Sequence, residues 1–358
     1  MIENRQTITS MIQFQCDYNE GAHPLILQRL TETNMEQTIG YGEDHYCTQA
    51  RELIKQACEN DNIDVHFLVG GTQTNTTIIA HTLRPYQGVL TAATGHINVH
   101  ETGAIESTGH KVLSIESSDG KLTATQIEEA MQAHLQEDGP EHMVQPGMVY
   151  LSFPTEVGTI YTHSELKAIS TVCRKYELPL FVDGARLGYG LCSPKSDITL
   201  PQLTQLADVF YIGGTKVGTL FGEAVVITNE TLKRDFRYSI KRHGGMLAKG
   251  RLLGLQFATL FTDNLYMQIA QHAIDEAMRI KVALQEAGIS FLIDSPTNQQ
   301  FPIFSNVQLE ALSQKYRFSI WQRIDGEHTA VRICTSWGTK SENVDQLIED
   351  IRPLHPKL

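Results

Sequence analysis

The residues best equipped for chemistry stand where two apolar runs end. Phe181-Val182-Asp183-Gly184-Ala185-Arg186 closes on an acid and an arginine. Tyr211-Ile212-Gly213-Gly214-Thr215-Lys216 closes on a lysine, 33 residues beyond the acid (216 − 183). Each reads as a short strand giving way to small residues. In an open α/β sheet, ligands bind beyond the carboxyl ends of the strands, so Asp183, Arg186 and Lys216 are expected in one crevice. A partly buried carboxylate and a reactive amine together suit pyridoxal 5'-phosphate. The acid keeps the pyridinium nitrogen protonated, and the lysine carries the aldehyde as a Schiff base. Each residue also has a plainer reading. Lys216 can be a solvated loop lysine, as most lysines are, and Arg186 can be the structural ion-pair partner of Asp183. If Asp183 serves a cofactor nitrogen, Arg186 is free to offer its planar fork to a substrate carboxylate.

Two further segments carry chemical potential. Gly70-Gly71-Thr72 lies between a predicted strand, Val65 to Val69, and a predicted helical run, Thr76 to Leu83. Glycines let the backbone approach an anion, and the N–H groups of a helix start attract it. A plain βα turn is the alternative. Neither this segment nor Gly213 to Val217 has the spacing of a dinucleotide fingerprint or a Walker loop. Gly95-His96-Ile97-Asn98-Val99-His100-Glu101 pairs two histidines at i, i+4. Without a third clear ligand this does not define a metal site. A ring stacked on a flat cofactor fits at least as well, as does a polar residue at a helix start.

These residues need a frame. Strands are predicted at Val89 to Ala92, Met148 to Phe153, Leu180 to Val182, Asp208 to Ile212 and Ala224 to Ile227. Thr125-Gln126-Ile127-Glu128 and Thr162-His163-Ser164-Glu165 read as capping boxes opening helices between them. Strands alternating with helices predict a mainly parallel sheet with right-handed crossovers. From about Gly250 the pattern changes to long helices, Leu252 to Phe261 and Met267 to Ala287, then short mixed strands and a closing helix from Glu342 to Ile351. The expected organisation is a large domain over 1–249 and a smaller α+β domain over 250–358.

At 358 residues the chain can bury a large core. Its net charge of −12 argues against general affinity for nucleic acid or anionic membranes. No apolar run is long enough to span a bilayer, and the N-terminus shows no secretory pattern. Six scattered cysteines read as reduced, packed thiols. A cytoplasmic protein is expected, with no nucleic-acid or membrane partner.

Taken together, the segments resemble the pyridoxal-phosphate-dependent β-eliminating lyase and low-specificity threonine aldolase family, of the aspartate-aminotransferase-like fold (fold type I). The resemblance runs from about Asp17 to Gly254 and returns near Arg332. It implies an α/β architecture with a large, mainly parallel domain and a smaller C-terminal α+β domain. Gly70 to Asn75 looks like the family's phosphate cup, which implies Gly71 and Thr72 as cofactor contacts. Gly95 to Gly103 looks like the segment whose histidine stacks on the pyridine ring, which implies His96. Val182 to Arg186 is the most specific match and implies Asp183 at the pyridine nitrogen and Arg186 at the substrate carboxylate. Gly214-Thr215-Lys216 is similar to the cofactor-lysine segment. Val331-Arg332-Ile333 looks like the strand that supplies a second carboxylate-binding arginine.

Two positions depart from the pattern. Where threonine aldolases carry a histidine after the strand Met148 to Phe153, this chain reads Pro154-Thr155-Glu156-Val157-Gly158. The hydroxyl base is then Glu156, His96 or a water. Gly244 to Lys249 lacks the arginine that reaches the phosphate in the neighbouring subunit, with Lys249 as its substitute. The implied reaction is cleavage of threonine or allo-threonine to glycine and an aldehyde, without a metal. The implied assembly is a homodimer or homotetramer with active sites near the subunit interface. β-Elimination or transamination on the same fold is the alternative, and a non-catalytic binding protein is a third.

Overall fold

The computed structural model describes residues 11–354. Contacts divide the described residues into two units, one spanning 21–271 and the other combining 11–20 with 272–354. The first unit is built on seven strands: β1 Asp64–Leu68, β2 Gln87–Ala92, β3 Lys111–Ile115, β4 Gln145–Ser152, β5 Leu180–Asp183, β6 Val209–Gly213 and β7 Glu223–Ile227. The central strands are apolar without alternation. Such runs fit a sheet covered on both faces, and every residue of β5, β6 and β7 is buried.

Their order is β1-β7-β6-β5-β4-β2-β3. Only β7 runs against its neighbours, pairing antiparallel with both β1 and β6. The other six share one direction. Their carboxyl ends therefore meet at one edge of the sheet. The reversed strand begins at that edge, with Glu223 opposite Gly213.

Helices cover the sheet: α1 His45–Ala57, α2 Gly71–Thr82, α3 His96–Val99, α4 Ala124–Gln136, α5 His163–Lys175 and α6 Arg251–Phe261. The expected box at Thr162 and Glu165 caps α5. The box expected at Thr125 and Glu128 is displaced: Thr123 and Gln126 cap α4 reciprocally. Helix α2 begins at Gly71, five residues ahead of the apolar run that announced it. The core beneath joins Ile78 and Ile79 of α2 to Val89, Met148, Tyr150, Phe181, Tyr211 and Val225.

The expected boundary at 249/250 falls inside the first unit. Helix α6 packs directly on α1, and a Cβ at Gly254 would lie 2.4 Å from the Cys47 sulfur. Only a glycine admits that approach. The division falls instead within α7, Leu265–Glu286. The second unit holds β8 Gln299–Gln300, β9 Ile303–Ser305, β10 Ser319–Arg323, β11 His328–Cys334 and α8 Ser341–Ile351. β11 pairs antiparallel with the other three strands. Ile12–Gln13 pairs with Tyr316–Arg317, which ties the N-terminal segment into this unit. Its core includes Phe14, Leu284, Phe304, Tyr316, Val331, Val344 and Leu347.

Candidate active site

Asp183 is the last residue of β5 and 5% exposed. Its carboxylate accepts from the Tyr150 hydroxyl at 2.5 Å, from the Asn75 side-chain amide at 3.1 Å and from the Ala185 backbone N–H at 3.0 Å. Burial alone pushes its pKa up. The charge of His96 and the donors Tyr150, Tyr211 and Ala185 outweigh burial and hold the group below the ordinary carboxylate value. The turn that follows is as tight as the chain permits, since a Cβ at Gly184 would lie 1.9 Å from the Tyr211 carbonyl oxygen.

His96 opens α3 directly after Gly95. Its Nδ1 lies 2.8 Å from Glu101 Oε1, and the same oxygen accepts from the Asn75 amide at 2.7 Å. Asn75 thus bridges two buried carboxylates, Glu101 and Asp183. Burial opposes the imidazolium, but the Glu101 hydrogen bond and the charges of Asp183 and Glu101 raise its pKa above the usual value. The His96 backbone N–H donates to Glu156 Oε1 at 2.9 Å, and Ser152 Oγ donates to the same oxygen at 2.5 Å. Burial raises the Glu156 carboxyl, with Asp183 adding to the shift.

Lys216 stands in the turn after β6, half-buried, with its carbonyl accepting from the Tyr189 hydroxyl at 2.5 Å. Its charge acts on both His96 and Glu223. Glu223 is 3% exposed and accepts from Thr215 Oγ1 at 2.8 Å and the Gly214 N–H at 3.2 Å. Burial pushes its carboxyl up to about 8. Asp183, His96 and Lys216 therefore act on one another electrostatically at the carboxyl edge of the sheet.

The remaining expected residues are placed as follows. Gly71 opens α2, whose N-cap Gly70 supplies no side-chain bond to the helix start. The first N–H groups of such a helix have no intrahelical partner and favour an anion. Thr72 is exposed on that first turn. Lys249 is an exposed residue of the segment following His243, a segment tied to α2 by the Gln73 amide donating to the His243 carbonyl at 3.1 Å. Arg186 follows the tight turn after Asp183 and precedes the short helix Leu187–Leu191. Arg332 lies on β11 of the second unit. Its guanidinium donates to Gln299 Oε1 at 3.3 Å and the Gln15 carbonyl at 3.1 Å and lies 5.5 Å from the centre of the Trp321 ring.

Four side chains of the network escape a sequence reading: Asn75, Tyr150, Tyr211 and Glu223. The two tyrosines sit at core positions of apolar strands, where their hydroxyls are silent in any hydropathy pattern. Glu223 leaves a signal, an acid directly before Ala224-Val225-Val226-Ile227.

The residues fit pyridoxal phosphate. Asp183 is ionised at the sheet edge, and the first turn of α2 is uncapped. Buried Thr74 Oγ1, Asn75 Oδ1 and Glu101 Oε2 find no hydrogen-bond partner among the described residues. A polar ligand relieves the cost of such orphaned atoms.

Comparison with known proteins points the same way. The family profile described as "Beta-eliminating lyase" matches residues 20–305. A low specificity L-threonine aldolase of Pseudomonas aeruginosa is 33% identical over 350 residues, covering 95% of this chain and 97% of that protein. A solved threonine aldolase from Leishmania major superposes with a TM-score of 0.93 at 42% identity, covering 96% of this chain and 99% of that one. Histidinol-phosphate aminotransferase from Clostridium acetobutylicum shares the fold at a TM-score of 0.74 and 11% identity, covering 97% and 100% of the two chains.

Proposed function

The chain belongs to the β-eliminating lyase family and is a pyridoxal-phosphate-dependent lyase of fold type I; from that premise we propose that it cleaves threonine or allo-threonine to glycine and acetaldehyde. The observation that carries the reading is the buried, ionised Asp183 joined through Asn75 and Glu101 to His96, with Lys216 acting on the same cluster. When bound, the cofactor supplies an electron sink for the pair released as Cα–Cβ breaks.

The protein's part is to hold, orient and move protons. Tyr150 and Asn75 fix the Asp183 carboxylate in place, where it would hold a proton on the cofactor's ring nitrogen. His96, oriented by Glu101, would pack against the ring. The N-terminus of α2, with Gly71 and Thr72, cradles the phosphate, and Lys249 adds positive charge. Lys216 would be the amine that holds the cofactor aldehyde. Arg186 and Arg332 bind the substrate carboxylate and so set which Cα bond is broken. Glu156 takes the hydroxyl proton. Burial raises its pKa above the ordinary carboxylate value, which makes it the stronger base.

We also infer a cytoplasmic homodimer or homotetramer. The buried thiols of Cys47, Cys58 and Cys173 support a reducing compartment. The exposed apolar side chains Met35, Ile39 and Tyr41 support self-association, which sedimentation measures. No helix among the described residues is long and apolar enough to cross a membrane.

The test is incubation of purified protein with L-threonine and with L-allo-threonine, following glycine and acetaldehyde. Borohydride reduction should fix the cofactor to the peptide containing Lys216. If threonine perturbs the visible spectrum yet no glycine is released, the aldolase reading fails and β-elimination or transamination replaces it.

A further inference from the structure

Arg186 and Lys216 lie on two separate turns. Arg186 leads into the short helix Leu187–Leu191, and Lys216 follows β6. The two turns are joined by buried hydrogen bonds centred on Tyr266, the second residue of α7. Its hydroxyl accepts from the Gly188 N–H at 3.0 Å and donates to the Gly213 carbonyl at 3.0 Å. Both roles are fixed, since an N–H can only donate and a carbonyl can only accept. Tyr266 is 3% exposed, so bulk water does not compete for either bond.

The packing is shaped around this phenol. A Cβ at Gly188 would lie 2.9 Å from the Tyr266 ring and 3.1 Å from Ala270, one turn further along α7. The ring also stacks on Phe261, with centroids 5.4 Å apart. Two more bonds join the same turns. The Gly213 N–H donates to the Gly184 carbonyl at 2.9 Å. Tyr189, the residue after Gly188, donates from its hydroxyl to the Lys216 carbonyl at 2.5 Å. Capping a helix start explains only half of the Tyr266 contact. Gly188 stands in the first turn of its helix, where N–H groups lack a partner within the helix. A hydroxyl serving that need alone has no reason to give its own proton to the last residue of the strand that leads to Lys216.

We propose that Tyr266 is a positioning residue: its hydroxyl, together with that of Tyr189, sets the spacing between the arginine turn and the lysine turn. One amino acid then reaches Arg186 with its carboxylate and the cofactor on Lys216 with its amine. This rests on the reading of those two residues given above. The amine and carboxylate of an α-amino acid stand a fixed distance apart. A ligand held at both ends gains from the second contact only when the two anchors match that distance.

The experiment is a spectral titration of the holoenzyme with glycine, which carries both groups but no side chain to cleave. Hydroxylamine captures the cofactor aldehyde without a carboxylate and serves as the one-point comparison. Tyr266→Phe keeps the ring and its packing and removes the hydroxyl. Glycine is expected to bind roughly 10- to 100-fold more weakly, the scale of a displacement of about 1 Å. Hydroxylamine capture should keep its rate. Tyr189→Phe withdraws one bond from the Lys216 carbonyl and gives the reading should the first variant fail to fold. Glycine binding then weakens by a smaller factor, again with hydroxylamine capture unchanged. In either variant, unchanged glycine affinity overturns the proposal. An equal loss with both probes also overturns it, because that marks a loosened lysine turn and no lost spacing. Two controls keep the failures apart. A borohydride label on another lysine, or a protein that takes up no cofactor, defeats the cofactor reading. Glycine affinity unchanged by Arg186→Lys defeats the arginine reading. A label on Lys216 and a requirement for Arg186, with glycine binding unmoved in both Phe variants, defeat only the role of Tyr266.

Discussion

Glu101 Oε1 lies 2.8 Å from His96 Nδ1, so the carboxylate holds the imidazole by one nitrogen and leaves the other to the site. A carboxylate oxygen can only accept, so Nδ1 is the donor. A pKa raised by this contact has a definite signature. The stabilisation is fully present below the unfolded value of about 6.5 and is lost as pH rises through the folded value. Glu101→Gln is expected to lower the His96 pKa, read by NMR titration of the ring protons, and to flatten that part of the stability profile.

Asp183→Asn keeps the outline of the side chain but cannot hold a proton on a ring nitrogen. Turnover should drop by roughly 10²-fold or more, the scale of a lost preorganised charge. Wild-type stability should also show the opposite pH sign here. A depressed carboxylate contributes above its unfolded value, and the contribution is lost as pH falls through the folded value. Near-normal kcat in the Asn variant would refute the assignment.

Arg186→Lys and Arg332→Lys each exchange a planar fork for a point charge. Charge-assisted bonds of about 1.5–3 kcal/mol correspond to a KM rise of roughly 10- to 100-fold for the amino acid. The free enzymes should keep their visible absorbance. Loss of cofactor from the Arg186 variant would instead mark that arginine as the structural partner of Asp183.

Glu156→Gln tests the hydroxyl base. The raised pKa predicts that the acid limb of kcat in the wild type lies above the ordinary carboxylate value of 4.5. In the Gln variant that limb should disappear and kcat fall by about 10²-fold, with cofactor binding unchanged. Full activity in the variant would move the base elsewhere.

Gly184→Ala probes the frame rather than the chemistry. The added Cβ meets the Tyr211 backbone, which cannot yield as a side chain does. A stability loss of roughly 3 kcal/mol or more is expected in denaturant unfolding.

The sequence was most legible where one local rule decided the outcome. Leu180-Phe181-Val182 could only be a buried strand, and the acid behind it had to arrive at the sheet edge. Thr162 and Glu165 announced a helix start by reciprocal capping. At Thr125 the same pattern misled, because Thr123 and Gln126 offer an equivalent pair two residues earlier. Helix α1 places Tyr46, Cys47, Ala50 and Ile54 at helical spacing, yet its interleaved polar residues mask the stripe. The network around Asp183 was harder still. Asn75, Tyr150 and Tyr211 come from a helix and two non-adjacent strands far apart in the chain, and a single chain carries no mark of which residues will meet.

The reversed strand β7 has a consequence for how this loop tolerates change. Its two ends are paired, Gly213 with Glu223, and its interior is laced back to Gly214 and Gly222. The segment between them behaves as a clasp of fixed length, with Lys216 on one arm and Glu223 on the other. One inserted or deleted residue would shift the lysine along the cleft and break the Gly214 and Thr215 contacts to Glu223. Side chains at its outer bend, such as the 43%-exposed Leu220, are free to vary in type. The number of residues between the two arms is not.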